Sequence, residues 1–265
     1  MSVPHQRALR SSVNVLGCPI TKLDLEEFVT VAEDFIQSGR PHYIAVVNVA
    51  KVIKMRSDSD LRQSVCAAEM VGADGVPLVW ASRLLGNSLP GRVNGTDLMY
   101  RLLERANKKG YRVFFFGATE QVLQSVLKVV RKNYPGMKIA GFHDGYFTPT
   151  EEAAIVEQIK KAHADILFIA FGTPKKELWV RRYLLEMGVP VVHGVGGSFD
   201  VLSGAIPRAP LWMQQCGLEW LFRLWQEPRR MWQRYLITNT FFIILLFREW
   251  FCYRVGLLTL KLKSQ

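Results

Sequence analysis

Residues 172–210 read GTPKKELWVRRYLLEMGVPVVHGVGGSFDVLSGAIPRAP, a helix-period segment followed at once by a short apolar run at 189–192 and a glycine-rich turn. Such a run reads as a buried strand. Gly194, Gly196 and Gly197 come directly after it, so the backbone can turn sharply there and offer N–H groups to an anion. Asp200 is placed to take a hydroxyl or a proton, and Arg208 to pair with a phosphate in a fork geometry. Glycines, carboxylates and basic groups gathered at the tip of one strand are what an open α/β sheet uses to bind a phosphorylated ligand.

Outward from this stretch, strand and helix patterns alternate. Residues 13–20 read as a short strand pair, and Asp24 as the cap of a helix reaching about Gln37. Residues 43–47, 111–116, 137–142 and 165–171 read as strands, and 50–69, 95–109, 119–133, 150–163 and 174–187 as helices. Short links between them predict an α/β, Rossmann-like fold: a mostly parallel sheet with helices on both faces. Between 200 and 210 the sheet pattern stops, and GLEWLFRLWQEPRRMWQRYL takes over with apolar residues three and four apart. The expected division is a catalytic domain over residues 1–207 and a helical appendage over 208–265.

The appendage carries much of the charge. The chain has 265 residues and a net charge of +11; from Arg208 onward nine Lys or Arg stand against three Asp or Glu, a net +6. Trp212, Trp220, Trp225, Trp232 and Trp250 lie there too. Arginine mixed with tryptophan on helical spacing is the composition of a segment on an anionic membrane surface more than of one that reads nucleic acid. The apolar run at 241–247 is interrupted by Arg248 and Glu249, too short for the roughly 20 residues of a spanning helix, so it is expected to lie on a bilayer or dip into it. Four scattered cysteines suggest neither a zinc site nor a disulfide framework and fit a reducing cytosol. The N-terminus lacks an apolar core, so no signal peptide is expected. No His, Asp or Glu cluster has metal-ligand spacing, and no metal or other cofactor is expected; the histidines read as structural.

Several further positions carry candidate chemistry. Asp74 sits among Gly72, Ala73 and Gly75, small neighbours that leave a carboxylate open to a ligand or let it form a turn. Arg92 precedes a helix N-terminus, where a guanidinium beside free N–H groups can cradle a diphosphate, and Asp97 in that first turn favours the helix dipole. Gly117 closes a strand and opens a helix, as in many nucleotide-binding βα turns, without a full GxGxxG fingerprint. In GTPKKE, Pro174 suits a first helical turn and Glu177 a favourable N-terminal charge.

Taken together, NVAK (Asn48), GADGVPLVW (Asp74), PGRVNGTDL (Arg92, Gly95, Asp97), FFFGAT (Gly117), GTPKKE (Gly172, Pro174, Glu177) and GVGGSFDVLSGAIPRAP resemble, in that order and over nearly the whole chain, the WecG/TagA/CpsF glycosyltransferases, glycosyltransferase family 26. The resemblance implies an inverting transfer of one sugar from a UDP-sugar to a polyprenyl-diphosphate-linked saccharide in bacterial surface polysaccharide synthesis, at the cytoplasmic face of the inner membrane. It makes Asp74 the general base. It assigns Asn48, Arg92, Asp97, Gly117, Gly172, Pro174, Lys176, Glu177, Gly196, Gly197 and Asp200 to the donor site, and Arg208, Arg223 and Arg230 to the diphosphate, with the tail folding over the active site. The donors implied are N-acetylmannosamine, its uronic acid or a hexose such as glucose; the family usually has Gln where this chain has Lys176, and many members place Thr near Val46 and Val47, and together these departures suggest a donor other than the first. The rival readings are a non-catalytic membrane-anchored nucleotide-binding protein and a basic nucleic-acid-binding protein. Homo-oligomerisation stays open.

Overall fold

The computed structural model describes residues 11–263, apart from the side chains of residues 215, 230, 234, 253 and 256–263. A hairpin of β1 (Ser12–Val15) and β2 (Cys18–Thr21) leads into α1 (Leu25–Ser38). Asp24 caps α1 in a reciprocal box: its Oδ1 accepts from Glu27 N–H at 2.9 Å, and Glu27 Oε2 accepts from Asp24 N–H at 2.7 Å.

Six parallel strands follow: β3 (His42–Val47), β4 (Met70–Ala73), β5 (Arg112–Gly117), β6 (Lys138–His143), β7 (Ile166–Ala170) and β8 (Val191–Gly194), ordered β4-β3-β8-β7-β5-β6. Their unbroken apolar runs split by alternation between two cores. Ala45, Val47, Phe114, Phe116, Leu167 and Ile169 face one layer of helices, while Ile44, Val113, Phe115, Ile166 and Phe168 face the other. The expected parallel sheet covered on both faces is therefore present.

Two local expectations change. The helix expected over 50–69 is two, α2 (Val49–Lys54) and α3 (Ser59–Cys66). Asp58 breaks it, because its Oδ1 accepts from Leu61 N–H at 2.9 Å and starts a new helix. GVPLVW, read above only as a motif, opens α4 (Val76–Leu84), with Pro77 in its first turn. The remaining crossover helices are α5 (Gly95–Lys109), α6 (Glu120–Asn133), α7 (Glu152–Lys161) and α8 (Lys175–Met187), and a short α9 (Ser198–Leu202) follows β8.

Beyond residue 210 the chain is helical: α10 (Leu211–Gln215), α11 (Glu219–Gln226) and α12 (Pro228–Lys263). The interruption expected at Arg248 does not end the helix, and its stretch Met231–Cys252 is, by length and composition, apolar enough to cross a membrane. One face of α12 packs on the domain along α2, with Phe242 buried in the core. The other face exposes Phe241, Ile244, Phe247 and Phe251.

Candidate active site

The carboxyl ends of the strands converge on one cleft of about 890 Å³, the place where an open α/β sheet binds its ligand. Asp74 lies in its wall, directly after β4; its N–H donates to Val47 O at 2.7 Å, which ties it to the neighbouring strand. Gly75, at φ +128°, then turns the chain away into α4, a conformation that suits glycine.

The orientation of the Asp74 carboxylate is fixed by a helix cap. Buried Asn94 turns its Oδ1 to Thr96 N–H at 2.8 Å and Asp97 N–H at 3.3 Å, at the start of α5. Its amide nitrogen therefore points the other way and donates to Asp74 Oδ1 at 2.8 Å. Asn94 was not singled out as a site residue from the sequence; that an Asn cap has a donor left over is the signal that could have placed it beside the carboxylate. Burial raises the Asp74 pKa above the ordinary 3.8, against the pull of Arg223, Lys51 and Arg92. A carboxylate so raised is a stronger base than a solvated one.

Of the other expected residues, Asn48, Gly172, Lys176, Gly196, Gly197, Asp200, Arg208 and Arg223 line the cleft. Asn48 also caps α2, its Oδ1 accepting from Lys51 N–H at 3.0 Å. Gly117 lies behind the wall, and its reason is steric: at φ +121° a Cβ would sit 2.7 Å from Ala170 O on β7. Pro174 opens α8 and Glu177 follows beneath the floor, with no exposed surface. Arg92 faces a second pocket instead, and Asp97 backs the junction between the two. Arg230 lies in α12, and its side chain falls outside the described residues.

Beneath the floor, Glu177 Oε1 receives Lys51 Nζ at 2.6 Å, Lys176 Nζ at 3.0 Å and Thr173 Oγ1 at 3.2 Å, while Lys51 Nζ also donates to Val46 O at 2.7 Å. Both lysines are almost fully buried. Burial and the Lys51 charge push Lys176 down to about 8. Burial alone would raise the Glu177 carboxyl, but the two ammonium groups bring it below its ordinary value. One carboxylate thus pins α2 and α8 under the cleft with two cations.

His193, expected to be structural, is enclosed between Ile44 O at 3.2 Å from Nδ1 and Gly95 O at 3.1 Å from Nε2. Burial pushes its pKa down to about 4, against the pull of those carbonyls. Between about pH 6.5 and 4 the unfolded chain then binds a proton that the folded one refuses, so stability falls as pH drops through that window. The expected loss is on the order of 3 kcal/mol. Urea unfolding of the wild type and His193→Gln across pH 4 to 7 checks this; the variant's stability should depend less on pH.

The second pocket, about 630 Å³, opens between α4 and the tail helices. Its walls are mainly apolar, with Trp80, Leu84, Phe242, Ile243 and Leu246, and Arg92, Glu219 and Arg223 line it too. Asp74 lies in the wall of both pockets. Among the described residues no group of three or more His, Cys, Asp or Glu is arranged to hold a metal ion.

A family model described as Glycosyl transferase WecG/TagA/CpsF family matches residues 13–255. A protein of Bacillus subtilis (strain 168), named N-acetylglucosaminyldiphosphoundecaprenol N-acetyl-beta-D-mannosaminyltransferase, is 34% identical over 232 residues, 87% of this chain and 90% of its own. A protein of the same name from Bacillus spizizenii (strain ATCC 23059 / NRRL B-14472 / W23) is 34% identical over 224 residues, 82% of this chain and 86% of its own.

Proposed function

The chain belongs to the WecG/TagA/CpsF family of glycosyl transferases, and on that premise we propose that it moves one sugar from a UDP-sugar to a saccharide on a polyprenyl diphosphate, inverting the anomeric centre. The observation that carries this reading is the position of Asp74 in the wall common to the cleft at the strand ends and a more apolar groove. The donor occupies the cleft at the strand ends, and the acceptor's isoprenoid chain lies in the groove between Trp80, Leu84 and Phe242. Asp74 removes the proton of the acceptor hydroxyl as that oxygen attacks the anomeric carbon, and the nucleoside diphosphate leaves from the opposite face of the sugar. Arg208 and Arg223, in the cleft wall, balance the charge that grows on the leaving diphosphate. Arg92, in the groove wall, is positioned for the diphosphate of the acceptor.

Membrane attachment follows the same geometry. The exposed apolar side of α12 and the exposed Trp80 and Leu84 of α4 rest on the lipid surface, and the groove opens toward it. The enzyme works peripherally at the cytoplasmic face, where both substrates meet, with the domain held by residues 208–265. The donor sugar is N-acetylmannosamine, its uronic acid or a hexose such as glucose; Val46 offers no hydroxyl in the cleft wall, and the Lys176 ammonium is held by Glu177 and Thr173.

The groove is tested with Trp80→Glu. This side chain is 62% exposed, so the fold should tolerate the change. Losing the apolar contact of an indole with an isoprenoid chain should raise the KM for the lipid-linked acceptor about tenfold or more, while the donor KM stays the same. An unchanged acceptor KM would place the lipid elsewhere.

A further inference from the structure

Five charged side chains from four chain segments meet where the cleft and the groove adjoin. Arg92 precedes α5, Asp97 lies in its first turn, Arg208 is in the connector before α10, and Glu219 and Arg223 belong to α11. Arg208 Nη2 reaches Asp97 Oδ1 at 2.5 Å, and Arg92 Nη2 lies 3.8 Å from Asp97 Oδ2. Glu219 makes three pairs: Arg92 Nη1 at 3.4 Å to Oε2, Arg223 Nη2 at 3.4 Å to Oε1, and Arg208 Nε at 3.8 Å to Oε1. The Glu219 side chain is 11% exposed, whereas Arg223 is 47% exposed. The carboxylate is therefore the buried hub, and the guanidinium groups radiate from it.

We propose that Glu219 is a positioning residue for the transfer reaction: it docks α11 on the domain and holds Arg92, Arg208 and Arg223 as one array for the diphosphate groups that enter the cleft and the groove. The proposal rests on the glycosyl-transfer reading above. Each guanidinium has five N–H donors, and a carboxylate on one edge leaves the other edges for phosphate oxygens. Arginines held in place before the ligand arrives lose less conformational freedom on binding. The pair to Arg92 crosses from the tail to the domain, and Arg208, also paired with Glu219, is itself tied to the domain by Asp97, so the same carboxylate that shapes the array also helps to dock the tail beside the cleft. Its negative charge also faces Asp74, along with Arg223 on α11, Lys51 on α2, Arg92 before α5, and the hydrogen-bonding Asn94.

The test compares Glu219→Gln and Glu219→Asp with the full-length wild type in detergent, measuring transfer against pH, UDP affinity, and amide exchange in residues 219–226. In Glu219→Gln the kcat/KM for the donor should fall about 10²-fold, the cost of a misplaced charged group. Its acid limb should move to lower pH, because Glu219 helps to raise the Asp74 pKa and the three cations would then act unopposed. Amide exchange in α11 should speed up while β7 is unaffected. Glu219→Asp keeps the charge and should leave the acid limb where it is. Wild-type kcat/KM in Glu219→Gln, or a loss of activity with an unmoved acid limb, would overturn the proposal. If the wild type transfers no sugar, the reading of the reaction fails but this inference is still decided: faster α11 exchange with weaker UDP binding in Glu219→Gln supports it, and no change in either overturns it.

Discussion

Asp74→Asn should lower kcat by about 10²- to 10⁴-fold, the range that a positioned general base contributes, with donor affinity within a few-fold of wild type. The substitution keeps an oxygen for the Asn94 amide, which now approaches Asp74 Oδ1 at 2.8 Å, so the geometry of the wall is retained and the basicity is removed. Stability should not suffer. Because burial raises the Asp74 pKa, ionising this group works against folding at neutral pH, and that contribution grows as pH rises through the folded-state value. A neutral amide escapes it, so Asp74→Asn should unfold at the same urea concentration as wild type or a higher one. Catalysis has the opposite requirement: the base works only when deprotonated, so kcat/KM in the wild type should decline as pH falls through the raised Asp74 pKa, above the ordinary 3.8. A variant that is inactive and undiminished in stability is what a functional carboxylate, as opposed to a structural one, produces.

Glu177→Ala should have the largest effect on stability, a loss of roughly 3–5 kcal/mol, because it leaves Lys51 and Lys176 buried together without a counter-charge. In a chain of this size such a loss lowers Tm by on the order of 10 °C. The second variant separates charge from packing. Lys176→Met removes the surplus cation and leaves a one-to-one pair of Lys51 and Glu177 at 2.6 Å, so it should cost far less. The double variant Lys176→Met/Glu177→Ala should be less destabilised than the sum of the two single ones, since one of the two stranded ammonium groups is gone. Thermal unfolding of the four proteins checks this, and a loss under about 1 kcal/mol for Glu177→Ala would show that the cluster is hydrated and of little account.

The legible part of the fold was the sheet. Runs such as residues 43–47 and 166–171 are apolar without interruption, which only strands buried on both faces require, and they proved to be β3 and β7. A capped helix was legible too: Asp24 begins α1. The break at Asp58 was not, since a helix interrupted for a few residues keeps its apolar period on either side. In the site, positions that follow a strand could be placed from the sequence because the topology puts them all at one sheet edge, and Asp74, Gly172 and Gly196 do line the cleft. Side-chain partners could not. Glu177 looks like a favourable charge in the first turn of a helix until its partner Lys51, 126 residues away, is seen beside it. Arg92 likewise reads as a cradle for one diphosphate, and its pairing with Glu219, 127 residues on, turns it toward the groove.

The central claim is that Asp74 serves a donor in the cleft and a lipid-linked acceptor in the groove. The most direct test is sugar transfer by the full-length protein in detergent, from a panel of UDP-sugars to a GlcNAc-diphospho-polyprenyl acceptor. Transfer from one donor, dependent on the lipid-linked acceptor and abolished by Asp74→Asn, is the result this account predicts. UDP binding with no transfer from any donor to any polyprenyl-diphosphate saccharide, or transfer that survives Asp74→Asn, would contradict it.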